Sequence, residues 1–251
     1  MRKRTRRIID AAWIGAVIVL SASGCARREA VPTPEDRVVM HQVVKGETLA
    51  MIAEDYYGDP SRADELGQIN GLHGTDLDPG TVIQIVMNPR ELERFKSHKQ
   101  ARVPYNRGLE LSAKGSYLEA IEQFQDALQI DPDFIEARYN LGVTYQKMNA
   151  YDRALKQFVT VVRLRPERPD YRFAAGTCRF HLQQYRRAAG DFERVLELDP
   201  GHLKARYSLA VSYEKLGLPN RAREEWQHYL RLDSSSEWAR EARRRLEELT
   251  R

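Results

Sequence analysis

The residues of this 251-residue chain that could do chemistry are two cysteines, six histidines and a set of regularly spaced aromatic side chains. The histidines (His41, His73, His98, His181, His202, His228) are scattered, with no HExxH and no short metal-ligand spacing, so no metal site is expected. No G-x-S-x-G elbow and no phosphate-cradling glycine loop occurs. Neither catalysis nor a cofactor is therefore expected. What remains is modification of one thiol, and recognition by rings, amides and open backbone. Cys25 follows a basic run (Arg2, Lys3, Arg4, Arg6, Arg7), the apolar stretch Ala11–Leu20 and the small residues Ser21-Ala22-Ser23-Gly24. That order is a signal-peptide pattern, with an apolar stretch too short to be a comfortable membrane span. Cys178 has no partner once Cys25 is modified. It falls at an ordinary position of a predicted helix and reads as a structural thiol, with no disulfide framework.

The segment that ends at Cys25 resembles a bacterial lipoprotein lipobox, which implies cleavage after Gly24 and lipid attachment at Cys25. It departs from that family at Ala22, where leucine is preferred. An ordinary cleaved signal peptide and an uncleaved anchor are the alternatives. Lipidation implies a membrane partner held through several acyl chains, since a single chain binds only marginally. Ala26 stands where some bacteria use aspartate for inner-membrane retention, which points to the outer membrane, facing the periplasm. Bulk charge argues against a nucleic-acid partner. Residues 1–24 hold five of the 40 cations and one of the 36 acids, so 35 of each remain over 25–251 and the formal +4 belongs to the N-terminus.

The elements that must position any binding residues begin after a tether, residues 25–37, with Pro32 and Pro34 two apart. Val38–Val44 is β-branched and reads as a strand bounded by Gly46. Leu49–Tyr57 has helical apolar spacing with Thr48 placed to cap it, and Gly58-Asp59-Pro60 stops it and starts a second helix, which runs to about Asn70-Gly71. After the turn Asp78-Pro79-Gly80, Thr81–Val86 reads as a second strand. Strand, helix, helix and strand make a compact unit in which the strands can pair antiparallel beneath the helices. Its residues resemble a LysM domain over Val43-Val44-Lys45-Gly46-Glu47-Thr48-Leu49, Ile52-Ala53, Tyr56-Tyr57-Gly58, Asn70-Gly71-Leu72 and Leu77–Ile83. The family usually has Gly-Asp-Thr-Leu where this chain has Gly46-Glu47-Thr48-Leu49. The resemblance implies binding of peptidoglycan or another N-acetylglucosamine glycan in a shallow groove. Gly46, Glu47, Thr48 and Leu49 would line one side, and Asn70, Gly71 and Leu72 the other. Roles in the fold alone stay open for single residues, since Gly46 turns the chain and Thr48 caps a helix. The domain is set at 38–87, and the charged segment 88–100 reads as a linker, with Glu91–Lys96 able to be helical.

From residue 101 the chain repeats with a period of 34. Ala120, Ala154, Ala188 and Ala222 are one series; Phe124, Phe158, Phe192 and Trp226 a second; Gly108, Gly142, Gly176 and Ala210 a third; Pro132, Pro166 and Pro200 a fourth. Small residues let paired helices approach, the aromatic fills the gap between repeats, and proline forces the next repeat to begin. The pattern resembles the tetratricopeptide (TPR) repeat. Four repeats (101–134, 135–168, 169–202, 203–236) and a capping helix, 237–251, are expected. Within that last helix Arg243-Arg244-Arg245 pairs at helical spacing with neighbouring glutamates. Trp238, Ala242, Leu246 and Leu249 cover the open end. The fold class is thus multidomain: a small α+β (βααβ) LysM-like domain followed by an all-α solenoid.

The resemblance implies that the first helix of each repeat lines a concave groove for an envelope protein or peptide. Tyr105, Tyr139, Phe173 and Tyr207 form an aromatic ladder there, and Lys147, His181 and Lys215 stand near it. Rings with mixed charge suit an extended peptide or a helix, although rings at this position also serve packing. The expected function is a non-enzymatic envelope lipoprotein that docks on peptidoglycan and displays the array as a scaffold. The alternative is a regulator that recruits a cell-wall hydrolase, with a wall enzyme a more remote third.

Overall fold

The structure, a computed structural model, describes residues 36–72 and 77–250. Cys25, the signal segment and nearly all of the tether lie outside the described residues. The chain divides into two units, Met1–Lys99 and Gln100–Arg251.

In the first unit, β1 (Arg37–Gln42) pairs antiparallel with β2 (Val82–Met87), in register from Arg37 opposite Met87 to Gln42 opposite Val82. Alternation puts Val39, His41 and Val43 on the inner face of the chain. Helix α1 (Leu49–Tyr57) starts where Thr48 Oγ1 accepts the Met51 N–H at 3.2 Å, and stops at Gly58, left-handed at φ 68°. A 3₁₀ turn, Pro60–Arg62, leads into α2 (Ala63–Ile69). Ile52, Tyr57 and Leu66 from the helices meet Ile83, Ile85 and Met87 from β2, all essentially inaccessible. Each such side chain contributes about 1.5–3 kcal/mol of burial.

The segment expected to be a linker is the first half of a helix, α3 (Pro89–Ala113). Its start is a capping box. Asn88 Oδ1 accepts the N–H groups of Arg90 and Glu91 at 3.0 Å, and Glu91 Oε2 accepts the Asn88 N–H at 2.9 Å. Pro89 fits at the first helical position because no intrahelical donor is needed there. Leu92 and Phe95, three residues apart and so on one face, pack against the unit's core. The Phe95 ring stacks on Tyr56 at 4.7 Å. Arg62 ties the same helix down, reaching Glu91 at 2.5 Å while holding Glu65 at 2.6 Å and covering the Tyr57 ring at 3.8 Å. The core of this unit therefore extends past β2 into α3.

In the second unit the rest of α3 pairs with α4 (Tyr117–Ile130). The later pairs are α5 (Ile135–Lys147) with α6 (Tyr151–Leu164), α7 (Pro169–His181) with α8 (Tyr185–Leu198), and α9 (Leu203–Lys215) with α10 (Pro219–Leu232). Helix α11 (Glu237–Glu248) follows. A methyl group on Gly108, Gly142 or Gly176 would sit 2.7, 2.7 or 2.8 Å from the ring of Phe124, Phe158 or Phe192. Those rings are buried, so the glycines are what let each pair close. In α11, Ala239 and Ala242 are fully buried, with Leu246 and Leu249 packed beside them. Trp238 departs from its expected place in this cap. It is 62% exposed, with only an edge contact to Tyr207 at 5.1 Å. No helix among the described residues is long and apolar enough to cross a membrane.

Candidate functional site

The two segments expected to line a glycan groove come together at Gly67. A methyl group on that glycine would lie 3.2 Å from Leu49 Cδ1 and 3.1 Å from the Leu72 carbonyl oxygen. The absence of a side chain on α2 thus lets the loop before α1 meet the loop after α2. Gly46 and Gly71 flank the junction at φ 85° and 63°, and among the described residues neither has a further atom within 4 Å of the place a Cβ would take. Both are exposed, so the junction presents backbone to solvent.

Most of the named side chains hold the loops rather than face outward. The Glu47 carboxylate turns into the unit, accepting the Val44 N–H at 2.8 Å and meeting His41 Nε2 at 2.9 Å. His41 Nδ1 lies 3.1 Å from the Tyr56 hydroxyl, which joins strand, loop and helix through groups that are all buried. Thr48 caps α1, and Leu49 belongs to the core. Asn70 bridges the end of α2 to β2. Its amide donates to the Leu66 and Gln84 carbonyls at 2.8 and 2.9 Å, and its oxygen accepts the Gln84 N–H at 2.6 Å. Leu72 is half-buried, its N–H bonded to the Gly67 carbonyl at 2.8 Å. Met51, 54% exposed on the first turn of α1, adds an apolar surface beside Thr48. His41 and Gly67 were not singled out from the sequence. For His41 the signal was present, since it shares the inner phase of β1 with Val39 and Val43.

In the second unit the aromatic ladder repeats one geometry. Tyr105, Tyr139, Phe173 and Tyr207 lean on Phe124, Phe158, Phe192 and Trp226 at 6.0, 5.6, 5.7 and 4.9 Å. Each also meets a ring from further along, namely Phe134, Tyr171, His202 and Trp238 at 4.7, 5.0, 5.0 and 5.1 Å. The ladder is half-buried and cements the stack, while its edges line the surface. Burial pushes the hydroxyls of Tyr105, Tyr139 and Tyr207 up from their ordinary value, so they remain protonated donors. Along one edge, exposed Lys147 lies 5.6 Å over the Tyr117 ring and the His181 ring stacks on Tyr151 at 4.2 Å. Lys215 is exposed at the equivalent place. Among the described residues no group of three or more potential ligands could hold a metal.

An α+β unit with exposed glycine loops meeting at Gly67 and a helical-repeat array with an aromatic surface define a protein built from two modules. Family models give the modules their names. The LysM domain model matches residues 41–86, a TPR repeat model 108–149, and two tetratricopeptide repeat models 139–185 and 179–246. The chain therefore carries an N-terminal LysM domain followed by TPR repeats, modules that bind and scaffold. No curated protein matches the chain. Among solved structures, a MamA crystal form is similar over 54% of this chain and 74% of its own, at 25% identity and a TM-score of 0.52. A second MamA structure is similar at 20% identity over 60% and 86%, with a TM-score of 0.53, which speaks for the fold. YrrB, described as a TPR protein with an unusual peptide-binding site, is similar at 26% identity over 62% and 79%, with a TM-score of 0.55.

Proposed function

We propose that this protein is a bacterial envelope lipoprotein. In this reading it is lipid-anchored through Cys25 in the outer membrane facing the periplasm, docks on peptidoglycan through its LysM domain, and uses its TPR array to hold an envelope protein or peptide. The observation that carries the glycan reading is the junction at Gly67. There two loops with left-handed glycines expose backbone to acetamido and hydroxyl groups beside the apolar Leu72 and Met51. The Gly71 side does so through its carbonyls, since the N–H groups of Asn70, Gly71 and Leu72 already donate to Gly67 and Gln68. The array supplies the second half of the reading, and its likeness to YrrB, a protein with a peptide-binding site, supports a peptide or protein ligand. Two weak sites on one tether raise the effective concentration of each partner at the wall.

Co-sedimentation with purified sacculi tests the glycan half. Asparagine tolerates the left-handed conformation, so Gly46→Asn and Gly71→Asn put side chains into the groove with little strain. The double variant should lose sedimentation and keep its melting temperature; equal sedimentation sinks the assignment. For the anchor, Cys25→Ser should move the protein from the membrane pellet to the soluble fraction, and continued pelleting would refute lipidation.

A further inference from the structure

Arginine recurs with the 34-residue period at Arg138, Arg172 and Arg206, one residue before the ladder positions Tyr139, Phe173 and Tyr207. The side chain that faces it comes from the second helix of the same repeat: Gln157, Asp191 and Glu225, also spaced by the period. Arg206 meets Glu225 at 2.9 Å, and Arg172 meets Asp191 at 3.7 Å. Arg138 has no such acid. Its Nη1 reaches Gln157 Oε1 only at 3.5 Å, and its Nη2 donates to the Pro132 carbonyl at 2.5 Å. The Nε of all three arginines is buried with no partner among the described residues, so the missing acid is what sets Arg138 apart. At that same place lies a shallow, open depression lined by Gln125, Leu128, Gln129 and Arg138. The Gln125 amide makes only a long contact there, 3.4 Å to the Tyr145 hydroxyl.

We infer that this depression takes a carboxylate from outside the chain: an acidic side chain of a protein partner, of glutamate length, neutralises Arg138 as Glu225 neutralises Arg206. The guanidinium is a planar fork suited to a carboxylate. Gln125 and Gln129 bring amide donors to the rim, and Leu128 offers an apolar wall for the methylenes of the incoming side chain. A partly buried cation with neutral acceptors and no counter-charge is costly, and a ligand that supplies the counter-charge recovers part of that cost. The site is separate from the aromatic ladder, and it rests on the reading of the array as a protein-binding surface only for the kind of partner.

Fluorescence anisotropy of the full chain in detergent, with a labelled glycine-rich peptide carrying glutamates and its glutamine counterpart, tests this. The glutamate peptide should bind about tenfold more tightly, the ratio that one charge-assisted hydrogen bond confers. Gln157→Glu supplies the acid internally. It should raise the melting temperature and weaken the glutamate peptide about tenfold, and Arg138→Gln should weaken it similarly. Arg187→Gln, which removes an exposed cation elsewhere on α8, should bind as the parent does. Unchanged binding in Gln157→Glu, equal binding of the glutamine peptide, or an equal loss in Arg187→Gln overturns the proposal. So does competition by inorganic phosphate with none by acetate. Failure to capture an envelope partner in cells would leave these outcomes unchanged, so the two readings fail separately.

Discussion

Replacing Glu47 separates a residue that touches the glycan from one that shapes the loop. In Glu47→Ala the Val44 N–H and the His41 Nε2 lose an acceptor that lies 2.8 and 2.9 Å away, in a region where Glu47 is 9% and His41 5% exposed. Leaving a buried donor unpaired costs roughly 1–3 kcal/mol, so the pair together costs about 2–6 kcal/mol. A unit of roughly sixty residues holds about 3–9 kcal/mol in all, which leaves this variant marginal. Glu47→Gln behaves differently. Val44 N–H and His41 Nε2 meet the same carboxylate oxygen, Oε2, so the glutamine carbonyl placed there can accept from both, and His41 keeps its tautomer. Trading charge-assisted bonds for neutral ones costs about 1 kcal/mol. Hydrogen exchange over residues 39–57, read beside sacculus binding, distinguishes the cases. The expected result is that protection and binding fall together in Glu47→Ala and both survive in Glu47→Gln. A Glu47→Ala protein that keeps its protection and loses binding would refute the reasoning, because the carboxylate would then have to reach the sugar.

Three further outcomes are expected. Gly142→Ala gains about 1 kcal/mol of helix propensity and loses about 1–3 kcal/mol to overpacking, since the new methyl lies 2.7 Å from the buried Phe158 ring. A melting temperature lowered by a few degrees and restored in part by Phe158→Leu is expected; a rise would mean that the ring yields freely. Hydrogen bonds from the Ser236 hydroxyl, and next from backbone N–H groups, hold the Asp233 carboxyl at about 2 against its ordinary 3.8. Its stabilisation of the α10–α11 turn is complete above the unfolded value near 4 and lost as pH falls through about 2. Asp233→Asn should therefore melt below the parent at pH 7 and match it at pH 2, and a gap that persists at pH 2 contradicts the assignment. Burial pushes the Cys178 thiol up to about 12, so iodoacetamide at pH 8 should alkylate it slowly in the native chain and rapidly in denaturant. Fast native alkylation would show that α7 opens.

The repeats were legible because each carries its own small residue, ring and turn at a fixed interval, so every position is stated several times over. The βααβ order was legible from Thr48, Gly58 and the alternating strands. The first half of α3 was legible only as a helical stretch through Glu91–Lys96 inside an expected linker, because Leu92 and Phe95 are its sole large apolar side chains there and charge dominates around them. The pair Asn88 and Glu91, read as a capping box with Pro89 between them, was the signal that could have found it. The direction of Glu47 was also out of reach. A motif places a residue in a loop, whereas whether its carboxylate turns outward depends on His41 from another element. Trp238 illustrates the converse: its size suggested a cap, yet alanines 239 and 242 are what fit against Trp226 and Tyr229.

Asn70 does more than close α2. A two-stranded sheet has outer edges whose unpaired amides can template a foreign strand. At Gln84 both outward backbone groups of β2 are already taken by the Asn70 side chain, which acts as a strand one residue long. Cutting it back to alanine therefore uncovers a place for strand addition as well as loosening a loop. Self-association that grows with concentration is the consequence to watch for, because a wall-binding assay alone would score such a variant as a defect in sugar recognition.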